Sequence, residues 1–122
     1  MTKPDVFYDG RCPLCRKEIA HYMRLDRQHK INWLDIWTEQ ESLAQKGVLF
    51  KDAMKLLHTV DRNGAVKTGA YSFVLIWHEL PYYRHLARLV EMFHLTDALD
   101  IAYRRFARWR YRSRCKEGCG LP

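Results

Sequence analysis

Hydrophobic and polar positions change period along this chain, and each change marks an element. Val6-Phe7-Tyr8 is a short run of strand formers halted by the turn signal Asp9-Gly10. From Cys12 the period becomes helical: Cys15, Ile19, Tyr22 and Met23 share one stripe, while Arg16, Lys17, Arg24 and Arg27 take other faces. Pro13 suits a first helical turn, where a missing N–H has no intrahelical partner to lose. Asp26 to Lys30 closes that helix. Ile31 to Trp37 predicts a second strand. Thr38 to Lys46 predicts a short helix, with Thr38 and Glu41 at capping-box spacing and Gly47 as its stop. Val48 to Met54 reads as loop or helix. Lys55 to Val60 and Ala65 to Thr68 predict an antiparallel hairpin across Asp61-Arg62-Asn63-Gly64. From Gly69 the pattern is helical, broken at Pro81 and restarted at Thr96-Asp97. In the last helix Leu99, Ala102, Phe106 and Trp109 form the predicted inward stripe, with Arg104, Arg105, Arg108 and Arg112 largely off it.

This order predicts an α/β fold. A helical crossover makes the first two strands parallel and the hairpin adds an antiparallel pair. The expected architecture is a mixed four-stranded sheet flanked by helices, with an extra C-terminal helical segment. At 122 residues the chain fits one domain, expected over 1–122 with a core at about 5–114 and a tail at 115–122. The longest purely apolar run, Phe73 to Trp77, is far short of the roughly 20 residues that cross a bilayer. Pro4 and Asp5 stand where a signal peptide would begin its apolar stretch. Neither a membrane span nor export is expected, and a cytoplasmic location is. A formal charge of +7 favours anionic partners without naming one.

Four cysteines in such a chain point to catalysis, redox sensing or metal binding rather than a stapled secreted scaffold. Cys12-Pro13-Leu14-Cys15 falls between a predicted strand and a predicted helix, the context in which C-x-x-C is redox-active. Two intervening residues let the sulfurs meet across one helical turn, and the helix N-terminus favours a thiolate. Cys15 heads the inward stripe, so Cys12 is expected to be the exposed sulfur and the nucleophile, and Cys15 the buried resolving thiol. Arg11 and Arg16 would favour the Cys12 thiolate, whereas Asp9 would oppose it. A carboxylate there suits relay of the Cys15 proton, or else it shapes the Asp-Gly turn; both roles stay open. Cys12, Cys15 and Asp9 are the candidate catalytic residues. Arg11, Pro13, Met54, Thr68 and Gly69 are the candidate substrate contacts.

Asp9-Gly10-Arg11-Cys12-Pro13-Leu14-Cys15 resembles the D-x-x-C-x-x-C signature of the DCC family (DUF393) of predicted thiol-disulfide oxidoreductases. Similar features are Val60-Asp61, Asn63-Gly64, Thr68-Gly69-Ala70, and Ala102-Tyr103 through Arg110-Tyr111-Arg112. The resemblance implies a thioredoxin-like fold and thiol-disulfide exchange with a protein or small-molecule disulfide, without a cofactor. Unlike thioredoxins and glutaredoxins, the chain has no proline at Ala53-Met54-Lys55, the region expected to precede the third strand.

Other constellations give alternatives. Cys115 and Cys119 could join Cys12 and Cys15 in a zinc site, pair as a tail disulfide or second dithiol, or stay reduced. The six histidines follow no metal-binding pattern. Trp33, Trp37, Trp77 and Trp109 are expected in the core. The arginine-rich run from Arg104 to Lys116 reads first as a solvated helix face and only second as a nucleic-acid surface. The alternative to an oxidoreductase is a noncatalytic binding module using that helix for an anionic partner, or a cysteine-held zinc domain.

Overall fold

The computed structural model describes residues 3–115, with side chains through residue 112. Its elements run β1 (Asp5–Tyr8), α1 (Pro13–Leu25), β2 (Asn32–Asp35), α2 (Gln40–Gln45), α3 (Phe50–Lys55), β3 (His58–Val60), β4 (Val66–Thr68), α4 (Ala70–Glu79), α5 (Tyr83–Met92) and α6 (Thr96–Cys115). The sheet order is β2-β1-β3-β4. β1 pairs in parallel with β2, Val6 opposite Trp33, and antiparallel with β3, Phe7 opposite His58. The expected mixed four-stranded sheet is therefore present, consistent with a thioredoxin-like fold.

Strand alternation divides the core between the two faces of the sheet. Val6 packs on one face with Ile19 and Tyr22 of α1 and Ile76 of α4. Phe7 packs on the other with Leu43 of α2 and Ala53 and Met54 of α3. A third cluster, Val74 with Ala87 and Val90, holds α5 against α4. The polar stretch after α1 is closed by one buried carboxylate. Asp26 accepts the Lys30 and Ile31 N–H groups and the Trp33 indole N–H, at 2.8, 3.1 and 3.2 Å.

Several expectations need correction. Lys55 ends α3 rather than opening the third strand, because burying Ala53 and Met54 against Phe7 extends the helix to that point. The segment entering β3 is thus Leu56-Leu57, which also has no proline. The Thr38–Glu41 capping box does not form: the Thr38 hydroxyl donates to the Asp35 carbonyl, and Glu39 is the N-cap of α2.

The inward face of α6 is rotated by one position. Asp100, Tyr103, Ala107 and Arg110 face the domain, whereas Leu99, Phe106 and Trp109 are exposed, Trp109 by 60%. One residue is a rotation of about 100° on a helix with 3.6 residues per turn. Polar contacts select this face. Asp100 accepts the Ala70 N–H at 3.0 Å, and the Tyr103 oxygen accepts the Leu57 N–H at 3.2 Å while its ring meets Phe73 edge-on. Trp33, Trp37 and Trp77 pack against the core as expected; Trp109 does not.

Candidate active site

The C-terminal end of β1 delivers the cysteine pair. Beyond Tyr8 the chain turns sharply, with the Cys12 N–H donating to the Asp9 carbonyl at 3.2 Å. Two carboxylates brace this turn. Asp9 Oδ1 accepts the Arg11 N–H at 3.0 Å and the Trp37 indole N–H at 2.7 Å. Asp35 Oδ1 accepts the Gly10 and Trp37 N–H groups, both at 3.1 Å. Gly10 is required here because a Cβ would collide with the Asp35 carboxylate. The Arg11 guanidinium lies over the Trp37 ring, 3.9 Å from its centroid.

Cys12 is the N-cap of α1 in extended conformation, Pro13 opens the helix, and Cys15 sits in its first turn. The order of burial is the reverse of the sequence expectation. Cys12 is 1% exposed, and Cys15 is the half-buried sulfur that faces a cavity. Drawing residues 9–12 inward under the Asp9 and Asp35 hydrogen bonds buries the N-cap position, while the first turn of α1 carries Cys15 out toward α6.

Cys15 meets a group that its neighbours in sequence do not provide. Arg110, buried on α6, donates from Nη1 to Cys15 Sγ at 3.0 Å and from Nη2 to the Lys55 carbonyl at 3.3 Å. The Cys15 thiol is pushed far above the ordinary cysteine range, first by its hydrogen bond with Cys12 and then by burial; Arg110 opposes this, and the charges of Cys12 and Asp9 add to it. These influences favour the protonated form of Cys15. Burial works against the Arg110 charge, but Cys15, Tyr103 and Cys12 outweigh it and raise its affinity for a proton.

The cavity, of about 150 Å³, is lined by Cys15, Asp9, Glu18 and Arg110 among apolar walls that include Leu14, Phe73 and Phe106. Of the candidate residues, Asp9 and Cys15 share this space. Arg11 and Pro13 are exposed beside the pair. Met54 is 2% exposed within the core. Thr68 accepts from Arg104 at 3.0 Å, and Gly69, at φ 63, is the N-cap of α4 against Asp100; neither lines the cavity. Among the described residues no cluster of three or more His, Cys, Asp or Glu could hold a metal. Cys119 and the Cys115 side chain lie outside the described residues.

A C-x-x-C pair at a helix N-terminus, one sulfur buried and the other half-buried, set beside a mixed sheet, agrees with the comparison of the sequence with known families. The profile of the DCC1-like thiol-disulfide oxidoreductase family matches residues 6–116. The chain belongs to this family. A curated relative, the uncharacterized protein At5g50100, chloroplastic, of Arabidopsis thaliana, is 30% identical over 80 residues, covering 64% of this chain and 37% of that protein. The chain thus spans well under half of that relative's length. No solved structure matches. The match takes in Asp9, Cys12 and Cys15, and also Tyr103 and Arg110. Both stand among the features of the family resemblance, but their spacing gives neither a role beside the cysteines. The partner of Cys15 lies 95 residues away, in an arginine run that reads first as a solvated helix face.

Proposed function

We propose that the protein exchanges disulfides through Cys12 and Cys15, with Cys12 as the nucleophile, Cys15 as the resolving thiol and Asp9 as the group that relays the Cys15 proton. The observation that carries this reading is the placement of Cys12 as the N-cap of α1 beside Cys15, which faces the cavity and whose protonated form is favoured by its hydrogen bond with Cys12 and by burial. The negative charge of the pair then falls to the N-cap sulfur, where the helix dipole favours it. The burial of Cys12 requires the substrate disulfide to approach past Leu14 and Cys15, both of which line the cavity.

The test uses the reduced protein and a small disulfide. Intact mass should show the loss of two hydrogen atoms from the wild type as the Cys12–Cys15 disulfide forms. Cys15→Ser should stop at a mixed disulfide on Cys12, and Cys12→Ser should trap little. Full turnover without Cys12, or equal alkylation of the two cysteines at neutral pH, would show the assignment to be wrong.

A further inference from the structure

Arg110 is an unusual buried cation. It is 8% exposed, and no carboxylate oxygen lies within ion-pair distance of it among the described residues. Its acceptors are the Cys15 sulfur and the Lys55 carbonyl, with the Tyr103 hydroxyl beside them. A buried guanidinium ordinarily ends on an anion, since leaving its charge uncompensated is costly. Glu18 and Asp9 line the same cavity and Arg110 acts on Glu18 through its charge, but the side-chain group that the guanidinium touches directly and that can become an anion is the Cys15 sulfur.

We propose that Arg110 is a positioning residue for the second half of the exchange, holding Cys15 Sγ as the thiolate that attacks the disulfide on Cys12. This rests on the reading of Cys12 and Cys15 as an exchange dithiol. In the first half, the Cys12 thiolate attacks the substrate disulfide; a Cys12–substrate S–S bond forms, the substrate S–S bond breaks and one thiolate leaves. In the second half, Cys15 gives its proton to Asp9 and its electron pair attacks Cys12 Sγ. The Cys12–Cys15 bond forms, the Cys12–substrate bond breaks, and the second thiolate leaves. The substrate gains two electrons and the dithiol loses two. The same contact serves the reverse direction, where Cys15 is the leaving thiolate when a donor thiol attacks Cys12.

The groups facing Cys15 set the sign of the effect. Cys12 and burial keep its proton on, the Asp9 charge at the end of β1 does the same, and Arg110 from α6 is the group that draws it off. Tyr8 of β1, Glu18 of α1 and Tyr103 of α6 complete the titratable lining of the cavity; burial raises the Tyr8 and Glu18 values, and the Arg110 charge works against the rise at Glu18. Burial raises the Tyr103 value, so this hydroxyl supplies no competing anion near neutral pH. The Lys55 carbonyl fixes the other arm of the guanidinium, so that the charge presented to Cys15 is oriented as well as near.

The experiment titrates Cys15 in a Cys12→Ser background, by ultraviolet thiolate absorbance and by the pH dependence of alkylation. Arg110→Met should raise the Cys15 midpoint by about one pH unit or more, which is at least a tenfold loss of thiolate at fixed pH. Arg110→Lys should recover part of the shift. With Cys12 restored, Arg110→Met should accumulate the mixed disulfide, its resolution slowing about tenfold as thiolate is lost. If Arg110→Met does not fold, Arg110→Gln against Arg110→Lys makes the same comparison of neutral and charged side chains, and the lysine variant should titrate lower. Normal exchange with a Cys15 midpoint indifferent to charge at position 110 overturns this proposal alone. A Cys15→Ser variant that never forms a mixed disulfide on Cys12 overturns the exchange reading, and this proposal with it.

Discussion

Asp9 shows how one buried carboxylate can shape a turn and bias a proton together. Its Oδ1 accepts the Arg11 and Trp37 N–H groups, fixing the approach to Cys12, while its charge raises the Cys15 value. The two roles left open by the sequence are therefore compatible in one side chain. They separate in Asp9→Asn, which keeps a carbonyl oxygen for both donors but loses the charge. The sign follows from the direction of the shift. Removing a charge that raises the Cys15 value lowers it, so the resting thiolate fraction on Cys15 should rise. Turnover should nevertheless fall, by the roughly 10²–10⁴-fold typical of a lost proton relay, because the proposed acceptor of the Cys15 proton is gone. Alkylation of Cys12 should stay as fast or become faster. Turnover that rises with the Cys15 thiolate would assign Asp9 to the turn alone.

At the scale of elements, α6 joins the pieces of the site. Its inward line runs from Asp100, which accepts the first N–H of α4, through Tyr103 at the entrance to β3, to Arg110 at Cys15. Tyr103→Phe would strand the Leu57 N–H without its acceptor and should cost about 1–3 kcal/mol in chemical denaturation. Trp109→Ala, on the exposed face, should stay within about 0.5 kcal/mol of the wild type. The reverse order would mean that the predicted stripe is the packed one. This helix also marks where the sequence stops being legible. The strand-turn-helix at Cys12 and the hairpin at Asn63-Gly64 could be read because local chemistry specifies them: Pro13 at the first turn of α1, and Gly64 at φ 88 in the hairpin. The face of α6 is set instead by long-range polar partners, and apolar periodicity is blind to Asp100, Tyr103 and Arg110. For the same reason the cysteine pair was found and its guanidinium was not. The burial of Cys12 escaped too, since it depends on Asp35, a strand residue with no visible signature.

For the whole molecule, charge is the property that acts at a distance. The chain carries a formal +7, and around the pair Arg11, Arg16 and Lys17 are exposed while Asp9 is buried. Arg105, Arg108 and Arg112 add a further exposed basic face along α6. No helix among the described residues is long and apolar enough to cross a membrane. If the pair exchanges disulfides as proposed, this charge should speed the approach of an anionic substrate over that of a cationic one. Two disulfide peptides of equal length, one flanked by Glu and one by Lys, should form the mixed disulfide with Cys15→Ser at rates at least about tenfold apart at low salt, the acidic peptide being faster. Because the screening length shrinks from about 30 Å at 0.01 M to about 3 Å at 1 M salt, the ratio should collapse toward unity as salt is added. A preference that persists at high salt would instead locate selectivity in short-range contacts within the cavity. A faster basic peptide would mean that Asp9 and Glu18, both lining that cavity, govern the approach despite the net charge of the surface.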